Sequence, residues 1–467
     1  MNALVEGKRV LIVSYAFPPT GGAGVQRATK FVKFLPSCGW RPTVLTVENP
    51  SVPVQDSDLL ADISADVTIV RSRTWEPDYG LKARLAGTPQ RGFSVRSLLR
   101  SMAMSVLQPD PQILWNATAY RAACRQLRQV AHDAILVTGP PFSSFLLGSR
   151  LKRKFGLPLV LDFRDEWALV SRHLENHRPG IWAQLGQQRM RRAALRAADA
   201  VIATTQSSAR ELGVECSKIN QQAKSYCIYN GFDPNDIEHL INKQPSLQLR
   251  SPLKIVYTGT LWNLTDIGPL VVALQKAMTN PQCPRIELHI AGRRTESQNQ
   301  RLSNLAGTHC TTTLYDYLPH QQALALAASA DVLLVTLADQ PGVERVVPAK
   351  IFEYMALNKR VLAIAPPGET SDILRGYALS NIFHPSESAR VAGWIARSLE
   401  PCGQVASGDS EYSYRYSRAT QAEQLSNILN ALQPSEADRR CRTPCLINVG
   451  IGVKTRSKSE TDAHCRQ

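Results

Sequence analysis

Short apolar runs alternating with helix-length amphipathic stretches, twice over in one chain, constrain this sequence more than any other feature. In the first half the runs are residues 8–14, 41–47, 134–139, 159–163, 200–204 and 225–229. After a polar, Pro-containing stretch at 241–252 the pattern restarts, with runs at 253–257, 286–290, 312–315, 330–335 and 361–364. Strands buried on both faces read as continuous apolar runs, and helices between them supply the crossovers of a parallel sheet. The expectation is therefore α/β, with two doubly wound parallel-sheet domains facing across a cleft. Their bounds are 1–240 and 253–417, joined by the linker 241–252. Residues 418–433 read as a last helix, with Ala422, Leu425, Ile428, Leu429 and Leu432 on one face. From 434 to 467 the chain is polar and basic without sustained periodicity, the pattern of a disordered tail.

A chain of 467 residues exceeds what one core organises, in agreement with two domains. No apolar run approaches the roughly eighteen residues of a spanning helix, and residues 1–8 lack a secretory signal's pattern. The ten cysteines are scattered, with no Cys-x-x-Cys pair, which suits thiols in a reducing, cytoplasmic setting. The net charge of +15 is unevenly placed. Residues 1–250 hold 32 Lys and Arg against 20 Asp and Glu, an excess of +12, while the remainder holds 22 against 19, an excess of +3. A basic half fits an anionic lipid surface or a phosphorylated substrate. Nucleic acid is not expected, because aromatics are not interleaved with the basic runs and no nucleic-acid motif is present. Residues 91–102 fit either a helix on an anionic membrane surface or a core helix with a solvated basic edge.

Candidate site residues gather where strands end. Gly21 and Gly22 follow the first run, where a backbone without side chains can approach a ligand. The spacing is not that of dinucleotide binders. Asp162, Arg164 and Asp165 stand at the end of the 159–163 run, placed either for a cleft or as a buried Arg–Asp pair that secures the loop. In the second half, Pro348 suits the first turn of a helix whose apolar face is Ile351, Phe352, Met355 and Ala356. Lys350 and Glu353, three apart, are neighbours on another face. A helix start of this kind can face an anion.

Four segments together resemble the GT-B glycosyltransferases, and glycosyltransferase family 4 in particular. They are the Phe17–Arg27 loop, the Asp162–Trp167 segment, Asn230-Gly231-Phe232-Asp233 and Pro348–Tyr354, in that order over residues 8 to 433. The resemblance implies two Rossmann-like domains, the first binding an acceptor and the second a nucleotide-sugar, with the last helix crossing back to the first. It implies that Glu353 holds the ribose hydroxyls, that Gly259 and Thr260 approach the phosphates, and that Tyr317 and Leu318 contact the base. Gly21 and Gly22 would reach across the cleft, and Arg345 to Pro348 would face the diphosphate or donor sugar. Three departures stand out. The position eight before Glu353, where family members carry a first acid, is Arg345. Residues 261–266 are Leu-Trp-Asn-Leu-Thr-Asp, without the usual Arg and Lys. No first-half catalytic His is evident. Lys350 is the first choice to supply the missing cation, with Arg345, Arg293 and Arg294 as others.

The resemblance implies transfer with retention, from a nucleoside-diphosphate sugar as co-substrate, without a cofactor or metal. Asp56-Ser57-Asp58 falls in a loop rather than at a strand end. Asp162 or Asp165 is expected to orient an acceptor hydroxyl, and Arg164 and Lys350 to stabilise charge. A glycan or lipid-linked glycan acceptor at the inner face of the cytoplasmic membrane, as in cell-surface polysaccharide assembly, fits the basic first half. Two other readings stay open: a nucleotide-sugar epimerase on the same fold, and a non-catalytic glycan- or partner-binding protein.

Overall fold

The computed structural model describes residues 7–51, 55–77, 107–167, 181–241, 251–306, 309–398 and 410–433. The basic segment 91–102, most of the linker and the tail from 434 onward lie outside these.

The first sheet is built from β1 (Lys8–Val13), β2 (Trp40–Val47), β3 (Thr68–Ser72), β4 (Ala134–Gly139), β5 (Leu159–Phe163), β6 (Ala200–Ala203) and β7 (Lys224–Cys227). Its order is β3-β2-β1-β4-β5-β6-β7 and every pair is parallel. The second sheet comprises β8 (Leu253–Thr258), β9 (Ile286–Ala291), β10 (Cys310–Tyr315), β11 (Val332–Thr336), β12 (Arg360–Ile364) and β13 (Ser380–Phe383). Its order, β10-β9-β8-β11-β12-β13, is again all parallel. The apolar runs are continuous because both faces are covered. Leu11, Val13, Ile135 and Val137 enter one core, and their neighbours Val10, Ile12, Ala134 and Leu136 enter another. That is the two-residue alternation of a strand with an apolar layer on each side. In each sheet the order reverses once, between β1 and β4 and between β8 and β11, which opens a crevice at the carboxyl ends of the strands.

The helices that matter below are α1 (Ala23–Phe34), α2 (Gln206–Ile219), α3 (His320–Ala328), α4 (Lys350–Ala356), α5 (Glu369–Arg375) and α6 (Arg418–Ala431). α6 buries Ala422, Leu425, Ile428 and Leu429 in the core that holds Val10, Phe31 and Trp40, so it packs on the first sheet's layer. The chain passes between the halves at residues 230–233 and returns at 416–418, and the two crossings run side by side. Phe232 N–H donates to Tyr416 O at 3.2 Å, and Arg418 N–H donates to Phe232 O at 2.8 Å. Gly231 lies where any β-carbon would strike the Tyr416 carbonyl.

Several elements differ from the sequence reading. Residues 116–129, to which the sequence reading assigns no element, form a helix over Asn116–Gln129 that buries Ala119, Ala123, Cys124 and Leu127. Small residues and cysteine on that face leave little apolar contrast against its arginines and glutamines. β3 and β13, neither read as strands, are short edge strands: β3 is exposed or half-buried except at Ser72, and β13 is half-buried throughout. A helix over Ile181–Ala197 precedes β6. Among the described residues no helix is long and apolar enough to cross a membrane.

Candidate active site

Lys350 begins α4, and its ammonium lies 3.4 Å from the centre of the Tyr257 ring. It is sealed from water and has no hydrogen-bond partner. Burial holds it well below the ordinary lysine value of 10.5, with Glu353 acting weakly the other way. The ammonium faces the turn after β8. A β-carbon on Gly259 would stand 3.0 Å from Nζ, and Gly259 has φ +124°, so the turn excludes a side chain on both counts. Tyr257 Oη and Thr265 Oγ1 both donate to Thr260 O, at 2.8 and 2.7 Å, and hold the turn open. Lys350, Gly259 and Thr260 are thus brought together.

One turn along α4, the Glu353 carboxylate is partly open to the cleft, with 17 % of the side chain exposed. Burial raises its carboxyl, while His320 and Arg418 oppose that. Tyr317 and Leu318 precede α3 on the same side. The Tyr317 hydroxyl lies 3.4 Å from Asp56 Oδ2 in the first half. Arg293, after β9, is exposed, whereas Arg294 is spent on its own loop, donating to the carbonyls of Gly292 and Tyr315 at 2.6 Å each.

Arg345, which stands where the family's first acid is expected, pairs across the cleft with acids of the first half. It contacts Glu166 at 3.2 Å and Glu211 on α2. A second cross-cleft contact is made by Glu369 at the start of α5. It accepts from the backbone N–H of Gln206 and Ser207, the first turn of α2, and from Tyr229 Oη at 2.6 Å. Burial acts upward on Glu369, but these hydrogen bonds outweigh it and lower its carboxyl below 4.5.

On the first half, Gly22 caps α1 with φ +100°, and α1 carries no side-chain cap and no acid in its first turn. Behind it, Arg164 donates to Gly139 O and Pro140 O. Its Nη1 has no partner and would stand 3.1 Å from a β-carbon on Gly24. Burial lowers Arg164, with Asp165 and Asp162 opposing. Asp165 is exposed in area although the cleft walls crowd it, and that crowding raises its carboxyl against the pull of Arg164. Asp162 does not reach the cleft. It is fully buried and takes both Nε and Nη2 of Arg27, at 2.9 to 3.1 Å, plus the Thr138 hydroxyl at 3.0 Å. Arg27 in turn donates to Tyr229 O at 2.9 Å. Asp162 therefore anchors α1 and the hinge to the strand ends: the buried Arg–Asp pair is real, with Arg27 rather than Arg164 as the arginine.

Sequence reasoning missed a polar cluster beside Glu353. Lys30, 2 % exposed, donates to Asp62, Asp233 and Asp236 at 2.6 to 2.8 Å, and Lys33 to the first two. The three carboxylates lie close enough to hold a cation, and the two ammoniums already fill that role. His320 sits between Asp236 and Glu353, at 3.6 and 3.8 Å. No local periodicity marks these residues; they converge from distant segments.

Residues 21–236 match the family model described as Glycosyltransferase Family 4. Comparison with curated proteins gave no match. Among solved structures, Anabaena HepE in complex with UDP and glucose aligns at 17 % identity and TM-score 0.57, over 91 % of this chain and 100 % of that one. Sucrose-phosphate synthase from Thermosynechococcus elongatus aligns at 15 % and 0.54, over 91 % and 96 %. The Candida albicans trehalose-6-phosphate phosphatase N-terminal domain aligns at 12 % and 0.62, over 92 % and 98 %. Identities this low speak for the fold. Residues 21–236 thus resemble glycosyltransferase family 4, in a chain whose two parallel-sheet halves share the GT-B fold of these neighbours.

Proposed function

We propose that this chain transfers a sugar, with retention at the anomeric carbon, from a nucleoside-diphosphate donor on the second half to a hydroxyl acceptor on the first. The observation that carries the reading is Lys350: a buried ammonium without a partner, aimed at a side-chain-free turn, one helical turn from the open carboxylate of Glu353. A buried cation without an anion is costly, and a donor diphosphate would complete it. In this reading Glu353 accepts from the ribose hydroxyls. Lys350 and the bare amino end of α1, with Arg164 behind it, face the negative charge that grows on the leaving diphosphate. Asp165 orients the acceptor hydroxyl, and Asp162 keeps Arg27 and α1 in place.

A uridine nucleotide is the first donor to test, because HepE, which shares the fold, was solved with UDP and glucose. The acceptor is a glycan or lipid-linked glycan, and the charge excess of the first half supports its presentation at an anionic membrane surface. Thermal unfolding against a panel of nucleoside diphosphates and nucleotide-sugars, repeated with Glu353→Ala, tests the donor site. A melting-temperature rise for one base that disappears in the variant is expected. No rise for any nucleotide would overturn the reading in favour of a non-catalytic protein. Arg345, whose cleft partners are acids instead of a donor, is the feature that favours that alternative.

A further inference from the structure

His320 is not needed by any step above, yet it occupies a junction. Its side chain is 15 % exposed and opens α3, directly after the Tyr317-Leu318 segment. Nε2 lies 3.8 Å from Glu353 Oε1 and 3.6 Å from Asp236 Oδ2, so the ring faces two carboxylates at ion-pair distance. Nδ1 lies 2.8 Å from Gln26 Nε2, on α1 of the first half. Asp56, also from the first half, accepts from the His320 backbone N–H at 3.4 Å. Asp236 is held in turn by Lys30 of α1 at 2.8 Å. One imidazole therefore touches the carboxylate placed for the ribose and, directly and through Asp236, the helix that carries the glycine loop.

We propose that His320, as the imidazolium, is the positioning residue for Glu353, and that it ties the ribose carboxylate to α1 of the opposite half. The inference rests on the donor-site reading above. A carboxylate asked to accept from two hydroxyls must stay ionised and hold one rotamer, and a cation beside it enforces both. The groups facing the ring are Glu353 on α4, Asp236 beyond the hinge, Asp56 on the first-half loop, and Gln26 and Lys30 on α1. Arg418 at the start of α6 acts on Glu353 from its other side. Burial opposes protonation of His320, but Glu353 and Asp236 outweigh burial and Lys30, so the imidazole is raised above its ordinary value of 6.5. Gln26 serves either state by turning its amide: it donates to a bare Nδ1 and accepts from a protonated one.

The test is calorimetric binding of UDP-glucose, ADP-glucose and GDP-mannose, whose diphosphates do not titrate near neutrality, from about pH 5.5 to about pH 9. Wild type, His320→Gln and His320→Lys are compared. In the wild type, affinity falls as pH rises through the His320 titration, by about tenfold if loss of the imidazolium costs the Glu353–ribose contact about 1.4 kcal/mol. In His320→Gln binding is weak and the profile loses this step; in His320→Lys the permanent cation keeps binding tight across it. A purely structural role for His320 would not move the profile in this way. A His320→Gln profile with the same shape as wild type, the Lys350 step included, overturns the proposal. Binding by none of the three proteins at any pH overturns the donor-site reading itself.

Discussion

Replacing Lys350 by Met should make the ligand-free protein more stable and the nucleotide-bound protein weaker. The Met thioether keeps the length of the side chain and its contact with the Tyr257 ring, now made by the ammonium at 3.4 Å. What is lost is a sealed ammonium with no hydrogen bond. Sealing this amine from water is costly in either form, as desolvation of the ammonium or as its deprotonation on folding, while the contact with the Tyr257 face returns about 1 kcal/mol. The net cost that the variant removes is about 1–3 kcal/mol, a rise of several degrees in melting temperature for a domain of this size. Against a diphosphate the sign reverses. Losing a charge-assisted hydrogen bond costs about 1.5–3 kcal/mol, or roughly ten- to a hundredfold in affinity. Differential scanning fluorimetry, with and without saturating nucleotide, measures both quantities on one sample. The lowered pKa adds a second readout. Between its folded value and 10.5, Lys350 is neutral in the free protein, and a bound diphosphate draws a proton onto it. Binding in that window should therefore take up protons, detected by calorimetry in buffers of different ionisation enthalpy, and the uptake should vanish in Lys350→Met. A variant that melts lower than wild type while retaining nucleotide affinity would refute the reasoning.

The two aspartates after β5 should separate cleanly. Asp162→Asn leaves the Arg27 guanidinium, 1 % exposed, facing a neutral amide and should cost about 3–5 kcal/mol in urea unfolding, whereas Asp165→Asn on the exposed loop should change stability by about 0.5 kcal/mol or less and lower sugar transfer. Glu369→Gln should cost about 1–2 kcal/mol by weakening the cap on α2 and the Tyr229 hydrogen bond. Because the folded carboxyl is lowered, wild-type stability from this residue is present above the unfolded value of about 4.3 and is lost as pH falls through the folded one. The acid limb of the wild-type stability profile should be steeper than that of Glu369→Gln, as read from melting temperatures in acid buffers.

Periodicity accounts for most of what was legible in advance. Both parallel sheets, the Lys350–Glu353 pair on a helix start and the packing of the last helix follow from patterns within ten or twenty residues. Such patterns depend only on which face of a strand or helix each side chain occupies. The region 116–129 escaped because its buried face is mostly small, with Ala119, Ala123 and Cys124 beside a single leucine, too weak a signal beside its arginines. Asp162 was placed correctly at the end of a strand, but which arginine it met was a question that local spacing could not answer.

The sequence by itself determined the two doubly wound sheets, the glycine turns at the strand ends and the acid and lysine of α4. Only the tertiary structure decided what those groups face. Lys350 meets the Gly259 turn, Asp162 meets Arg27 across 135 residues of chain, and Arg345 meets acids from the other half. His320 was invisible as a functional residue until Glu353, Asp236 and Gln26 surrounded it. The physical reason is that secondary structure is set by short-range sterics and burial, which repeat along the chain. A polar partnership in a cleft is set by which strand ends the crossovers bring side by side, and no local repeat records that.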